Sequence, residues 1–529
     1  PGQGDGAVSM SVIRVSERGK QQFITLAVWL VGLCVAWIVG HWVVNEETHL
    51  LIFAALGFVL LVISFVILHN WRAGFYFFLV WLLFEDLIRK YLGNNMAIFF
   101  AKDCLAGLTY ISLLNAVRRK EVRTFHPPFL LFLSLFFWLA VLQVFNPYSP
   151  SPFYGLLGLK VDFFYVPLLF LGYALIRDER DLHRFLLVFM LLAIVISGLG
   201  IAQGILGPKF LNPPTLQHDI RELGSLEKIT PLTNQIFFLP CSVFVSSGRF
   251  ALYLNVAIIV GLGGAGYFVL SSLRGRKIIY VGIVILVIAT VLSGSRSGLL
   301  YSLMSGVALF AAFLWGAPWR WGHRRRLVKV LRRSLIFASL GLATFMLIFP
   351  SAAASRLGFY SETLLPSSSA YQLGERSWTY PIGELAKAFR GPHWVVGNGT
   401  GTDTLGAQYV SEILKEPMPD VAVEEGFGQL IAEMGILAPL LWILWTAAMV
   451  SACWKIARSL KETRFFPIAV AIVWYSFLLL FGMSYLGLDA YQNYVNNAFL
   501  WILVGILFRL PELATQSPAF AAQGTRPSV

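Results

Sequence analysis

Charged side chains are scarce. Asp, Glu, Lys and Arg make up only 13% of the 529 residues, where a soluble domain carries about a quarter. With a mean hydropathy of +0.70, the shortage excludes an ordinary soluble enzyme. Cysteine is sparse too. Cys34, Cys104, Cys241 and Cys453 are scattered and lie mostly in apolar runs, which excludes a disulfide framework and thiolate metal spacing and leaves them as buried small hydrophobes. Strand-like alternation is missing from the apolar runs, so a membrane β-barrel is excluded. No Gly-Lys-Ser/Thr follows Gly397-Asn398-Gly399-Thr400-Gly401, so that stretch is not a P-loop, and no connection is long enough for a cytoplasmic nucleotide-binding domain. No Asp-x-Asp or His-x-x-His pattern occurs on the outward side, where His218 and His393 stand isolated. The absence of an internal repeat weighs against a transporter of inverted halves.

What remains is apolar length. Runs of about 18 residues or more recur, enough to cross a bilayer core, and the sequence predicts an all-α, polytopic integral membrane protein with about 14 transmembrane helices. They fall near 23–44, 50–68, 74–88, 98–116, 127–145, 160–176, 184–206, 250–270, 278–293, 298–315, 334–350, 427–452, 466–485 and 496–509. Residues Pro1 to Gly6 read as a tag scar and Met10 as a native start; the first apolar run lacks a cleavage site and reads as a span. The expected organisation is a cytoplasmic N-terminus over 1–22, a helix bundle over 23–350, an outward loop over 351–425, further spans over 426–510 and a disordered tail over 511–529.

The net charge of +13 fits topology better than nucleic acid. When the 41 Lys and Arg are sorted by alternate connections, the larger share falls on the side holding both termini, Arg118-Arg119-Lys120 and the run Arg320 to Arg333. That side is cytoplasmic by the positive-inside rule, with Arg324-Arg325-Arg326 available to anionic lipid. Two long loops then face outward: Gly207 to about Arg249, and a loop of about 75 residues from near Ser351 to Glu425. Loops of this length are usually functional or disordered. In the second, Glu384 to Arg390 has helical character and Gly391-Pro392 stops it. Glu425 to Glu433 is expected to run into the span starting near Phe427.

Chemistry is sought where polar residues gather at the outer edge. Arg296 sits in Ser293-Gly294-Ser295-Arg296-Ser297-Gly298, between two apolar runs. It is open to two readings, a snorkelling interfacial arginine or an anion site; the dense Ser/Gly surroundings favour the second. Arg249 and Arg376 are further candidates, since arginine forks phosphate oxygens; a surface ion pair, for Arg376 with Glu375 or Glu384, is the alternative. Glu424 and Glu425 are candidates for a general base or for acids favoured by a helix N-terminus. Glu85-Asp86, Arg89-Lys90 and Lys102-Asp103 suggest a structural ion-pair cluster between the third and fourth spans.

The order Ser293–Gly298, Arg376-Ser377-Trp378, Gly397–Gly401 and Glu425-Gly426-Phe427-Gly428-Gln429-Leu430-Ile431-Ala432-Glu433-Met434-Gly435 resembles the bacterial O-antigen ligase and polymerase superfamily. Phe84–Lys90 and Gly158–Leu168 resemble its exopolysaccharide polymerases. This resemblance implies a GT-C-like fold in the cell inner membrane, with cytoplasmic termini, a periplasmic main loop and no cofactor or metal. The implied reaction is inverting glycosyl transfer from undecaprenyl diphosphate to an acceptor hydroxyl. Arg296, with Arg249 or Arg376, would hold the diphosphate, and Glu424 or Glu425 would act as base. Implied partners are an undecaprenyl-diphosphate-linked oligosaccharide, a growing glycan acceptor, the lipid bilayer, and a chain-length regulator or export proteins, but no nucleic acid. Ligases of the family carry a His-Asn pair about nine residues before the Glu of the last motif. Counting back from Glu433 gives Glu424, then Glu425. No arginine precedes Ser242–Ser247 as it tends to in ligases; Arg249 follows instead. Both departures favour polymerisation over ligation, with a polysaccharide transporter or flippase as the rival from another class. Trp378, Tyr380 and Trp394 suit either sugar stacking or an interfacial belt.

Overall fold

Helices dominate because the chain offers long apolar runs whose backbone groups must be satisfied within the segment when water is absent. The computed structural model describes residues 48–92, 96–213, 226–271, 275–318, 321–415, 419 and 423–516. The predicted span near 23–44 with Cys34, as well as His218, Arg221, Arg320 and the tail from 517, lies outside the described residues. The chain divides into two compact units, one ending at Asn70 and one from Trp71. The first contains the helix Thr48–His69.

Eight helices in the described residues are long and apolar enough to cross a membrane. They are Ala97–Arg118, Pro152–Leu175, Glu179–Leu206, Ser247–Ser271, Arg296–Gly316, Leu437–Ser459, Phe466–Leu486 and Tyr494–Thr515. A ninth is added if Ile336–Ile348 and Ala353–Leu364, bent by 115°, count as one span. The chain is thus an all-α multi-pass membrane protein, with eight or nine clear spans among the described residues where about fourteen are expected of the whole chain. Part of the difference has physical reasons. Leu130–Gln143 has 14 residues and Arg276–Leu292 has 17, whereas Trp71–Leu92 carries Glu85, Asp86, Arg89 and Lys90. One boundary is also corrected. The helix Gly426–Met434 does not run on into the next span; Gly435, at φ +79°, ends it, and the span begins at Leu437.

Ser247–Ser271 is the central helix, with 83% of its apolar window buried; Arg296–Gly316 is peripheral at 22% and exposes Leu303, Val307 and Phe310, as a lipid-facing helix should. An aromatic core of Phe136, Trp442, Trp445, Tyr491 and Trp501 joins Leu130–Gln143, Leu437–Ser459 and Tyr494–Thr515, with Trp442 and Tyr491 4.9 Å apart edge to face. Among the described residues the only strands form a short hairpin in the loop from Gly207 to about Arg249, Glu227–Ile229 paired antiparallel with Ile236–Phe238. Cys241 and Cys453 are buried as expected, but Cys104 is exposed; all three thiols are free.

The expected ion-pair cluster is present and reaches further than the sequence suggested. Lys102 pairs with Glu85 at 2.9 Å, and Asp86 lies between Arg89 at 3.3 Å and Arg249 at 3.0 Å. Glu85 and Asp86 are fully buried, so the pairs tie Trp71–Leu92 to Met96–Arg118 and to the central helix; removing one member of such a pair strands the other's charge.

The long loop expected over 351–425 is built, not open. It begins inside the helix Pro350–Leu364, continues through a π-helical turn at Glu375–Thr379 and the helix Tyr380–Arg390, and then passes as coil to Ala407–Leu414. Its coil is pinned by backbone contacts. The amides of Asn398 and Gly399 donate to the carbonyls of Ala432 and Glu433 at 2.9 and 2.8 Å. Thr400 Oγ1 donates to Ala140 O at 2.9 Å. Gly401, at φ +84°, lies so close to Tyr154 that an added Cβ would stand 1.9 Å from its carbonyl oxygen. Gly401→Ala meets both a wrong backbone region and a hard contact. It should cost ~3 kcal/mol or more, seen as a clear drop in the thermal unfolding midpoint of the purified full-length protein; an unchanged midpoint would contradict this packing.

Candidate functional site

The site starts at a helix end. Arg276–Leu292 finishes with carbonyls that have no partner in their own helix, and the helix Pro350–Leu364 supplies them. Arg356, only 4% exposed, donates from Nε to Leu292 O and from Nη2 to Phe238 O, both at 3.1 Å. Tyr360 donates to Val291 O at 3.1 Å. A cation at a helix C-terminus also meets the negative end of its dipole. These contacts join the helix end, the hairpin and the loop. The turn that follows is held by serines: Ser293 Oγ donates to Thr290 O at 2.8 Å, and Ser295 Oγ caps the next helix by accepting from Gly298 N at 3.1 Å. Arg296 is the first residue of that helix. Its Nη1 donates to Gln372 Oε1 at 2.5 Å, and its guanidinium lies 5.3 Å from the Phe359 ring centre.

Arg296 and Arg376 line one cleft of about 570 Å³, together with Lys228 and Glu424. Arg376 comes from the π-helical turn, with its guanidinium 4.8 Å from the ring centre of Tyr380. The Tyr380 hydroxyl donates to Glu424 Oε2 at 2.5 Å, and that bond is the first cause that pushes the phenol up to about 12. The Glu424 backbone amide donates to Glu384 Oε2 at 3.1 Å. Among the described residues, none of Lys228, Arg296 and Arg376 forms an ion pair. Of the two alternative partners for Arg376, Glu375 and Glu384, neither pairs with it, and Glu384 pairs with Lys387 instead. Burial at the cleft wall, and then repulsion from Arg296 and Arg376, lowers the Lys228 ammonium below its ordinary value.

The other candidates lie elsewhere. Arg249 is turned to Asp86, with Nη1 at 3.2 and 3.0 Å from its two carboxylate oxygens, although Ser247 and Gly248 just before it line the cleft. Glu425 is 1% exposed and caps the helix Gly426–Met434, accepting from Gly428 N at 2.6 Å; it does not line the cleft. Burial raises its carboxyl to about 7 against the pull of the Gly428 and Phe427 amides. Trp378 is 67% exposed and also off the cleft wall. His393 lies within 2.8 Å of Asn398 Oδ1 and stacks on Tyr148. Sequence reasoning missed Lys228 and Arg356, and named Tyr380 only for sugar stacking or an interfacial belt, not as the partner of Glu424. For Arg356 the only signal was a lone cation directly after the small-residue run Ser351–Ser355.

No group of three or more His, Cys, Asp or Glu side chains is arranged to hold a metal among the described residues. The arrangement defines a multi-pass membrane protein with a cleft lined by three cations and one carboxylate, opening where two membrane helices begin. No family model matches the chain, and no curated protein matches it.

Behind the cleft, Glu433 accepts from Asp403 N and Thr404 Oγ1, each at 2.9 Å. Burial raises Glu433 to about 7 and Asp403 to about 8. Acids raised in the folded state bind protons more tightly there than when unfolded. Their stabilisation is full below their ordinary values and is lost as pH rises through about 7 to 8. The thermal midpoint should therefore fall from pH 5 to pH 8, and fall less in Glu433→Gln, whose amide oxygen still accepts from Thr404 and Asp403. An equal fall in both proteins would contradict the assignment.

Proposed function

We propose that the chain is a polysaccharide polymerase that joins undecaprenyl-diphosphate-linked repeat units by metal-independent, inverting glycosyl transfer. The observation that carries this reading is the cleft itself: three cations without an ion-pair partner among the described residues share one wall with Glu424. Uncompensated cations gathered beside a carboxylate are more characteristic of a ligand site than of a structural network. A diphosphate supplies the missing negative charge, and a lipid tail accounts for a site at the ends of membrane helices. The resemblance of Ser293–Gly298 and Arg376-Ser377-Trp378 to the O-antigen ligase and polymerase superfamily supports the same chemistry. Glu424, where ligases of that family carry histidine, favours polymerisation.

In this reading the cleft faces the periplasm and both termini are cytoplasmic, in keeping with the cation-rich connections of the other side. The remaining expected spans would complete a fold of about fourteen. Glu424 takes the proton of an acceptor hydroxyl. The acceptor oxygen forms its bond to the anomeric carbon from the face opposite the diphosphate, while the bond from that carbon to the phosphate oxygen breaks. Undecaprenyl diphosphate leaves with the electron pair, its charge met by Arg296, Arg376 and Lys228; preorganised charge of this kind is usually a large catalytic contribution. Tyr380, between Arg376 and Glu424, fixes the carboxylate while leaving its second oxygen for the acceptor. Glu425 caps the helix that carries this segment.

The test is product length in membranes supplied with lipid-linked repeat units. Glu424→Gln should lower polymer formation by about 10²–10⁴ and Arg296→Ala by about 10²–10³, leaving single repeats unextended. Long polymer from both variants would overturn the site. EDTA should leave activity intact, whereas activity lost to EDTA and restored by Mg²⁺ would contradict the metal-free reaction.

A further inference from the structure

Beside the cationic cleft lies a second chamber of about 530 Å³, within the range of about 300–1,000 Å³ usual for small-molecule sites. The two share the wall formed by Gly248, Ser295, Ser297, Tyr301, Glu424 and Leu486. Their chemistry differs. No Lys or Arg lines the second chamber; Asp403, Asp489, Asn255 and Gln429 do.

Two of these side chains are buried with half of their hydrogen-bonding capacity unused. Asn255 is 2% exposed and lies on the central membrane helix. Its Oδ1 accepts from Ser302 Oγ at 2.9 Å, while its amide nitrogen donates to no described residue. Gln429 is 4% exposed; its Nε2 donates to Asp403 O at 2.6 Å, while its Oε1 accepts from none. Both residues line the chamber, so the unused atoms are open to a ligand there. The chamber thus offers one free donor and one free acceptor from buried amides. Asp403, raised to about 8 by burial, is protonated at neutral pH and adds a further donor. Sugar hydroxyls both donate and accept, so they can satisfy all three. A carboxylate or phosphate only accepts, and would also face Asp489 and Glu424.

We infer that this chamber is the acceptor subsite, shaped for a neutral, hydroxyl-bearing pyranose and closed to sugars that carry a carboxylate or phosphate. The inference rests on the polymerase reading for the word acceptor, but not for the ligand class. Glu424 stands on the shared wall, so an acceptor hydroxyl in this chamber and a diphosphate in the cleft meet at the same carboxylate.

The test is saturation-transfer NMR on the full-length protein in nanodiscs, with neutral gluco-, galacto- and manno-disaccharides and a glucuronic-acid disaccharide as probes. Neutral probes should show transfer, reduced ~10-fold in Asn255→Leu and in Gln429→Leu and retained in Arg296→Ala. The acidic probe should show none with the natural chain and gain transfer in Asp489→Asn. That exposed position keeps the test decisive if a buried variant fails to fold. Transfer from no neutral probe, equal transfer in natural and variant proteins of unchanged thermal midpoint, or equal transfer from the acidic probe would overturn the subsite. If neutral sugars bind as expected but membranes make no polymer, the polymerase reading falls and the sugar chamber stands.

Discussion

The backbone of residues 397–401 lies against carbonyl groups of two other segments at a distance that leaves no room for a Cβ. Gly397 meets Glu433 O and Gly401 meets Tyr154 O, and the amides between them complete hydrogen bonds to Ala432 and Glu433. The site depends on this contact because it fixes the short helix Gly426–Met434. Glu424 precedes that helix, Gln429 projects from it into the second chamber, and Glu433 accepts from the coil behind. The Gly-rich stretch is a wedge between protein segments.

The opposite wall is fixed by a different device. Arg356 and Tyr360 take the free carbonyls at the end of Arg276–Leu292, which sets the serine turn and aims Arg296. Between the two walls the charge is segregated. Cations line one chamber and carboxylates and amides the other, with Glu424 common to both. Like charges gathered in this way repel one another unless a counter-charge is supplied. Tyr380 couples the two by binding Glu424 while lying under Arg376.

Much of this was legible in sequence, and the part that was not has a consistent cause. Apolar length marked the membrane helices, and the Ser/Gly turn marked Arg296, because both signals are local. Arg376 and Glu424 are candidates by the same local reading, and the structure brings both to the cleft that Arg296 lines. Arg249 was placed with them, but its partner Asp86 is 163 positions away and no local pattern reveals that pair. Glu424 and Glu425 are alike in sequence; only the turn into the helix sends one to the cleft and the other to cap Gly428. The span expected from near Phe427 failed at Gly435, whose positive φ periodicity does not register. Lys228 sits on a three-residue strand, too short to leave a pattern, and Asn255 is one polar residue in an apolar run until its unfilled hydrogen bond is seen.

The most direct measurement is a cryo-EM structure of the full-length protein in nanodiscs with undecaprenyl diphosphate added. The account predicts diphosphate density within hydrogen-bonding distance of Arg296 and Arg376, with the lipid tail leaving along the helix that starts at Arg296. Density resting elsewhere, for example against Lys102 and Lys160 beside the buried ion-pair cluster, with the Arg296 cleft empty, would contradict it.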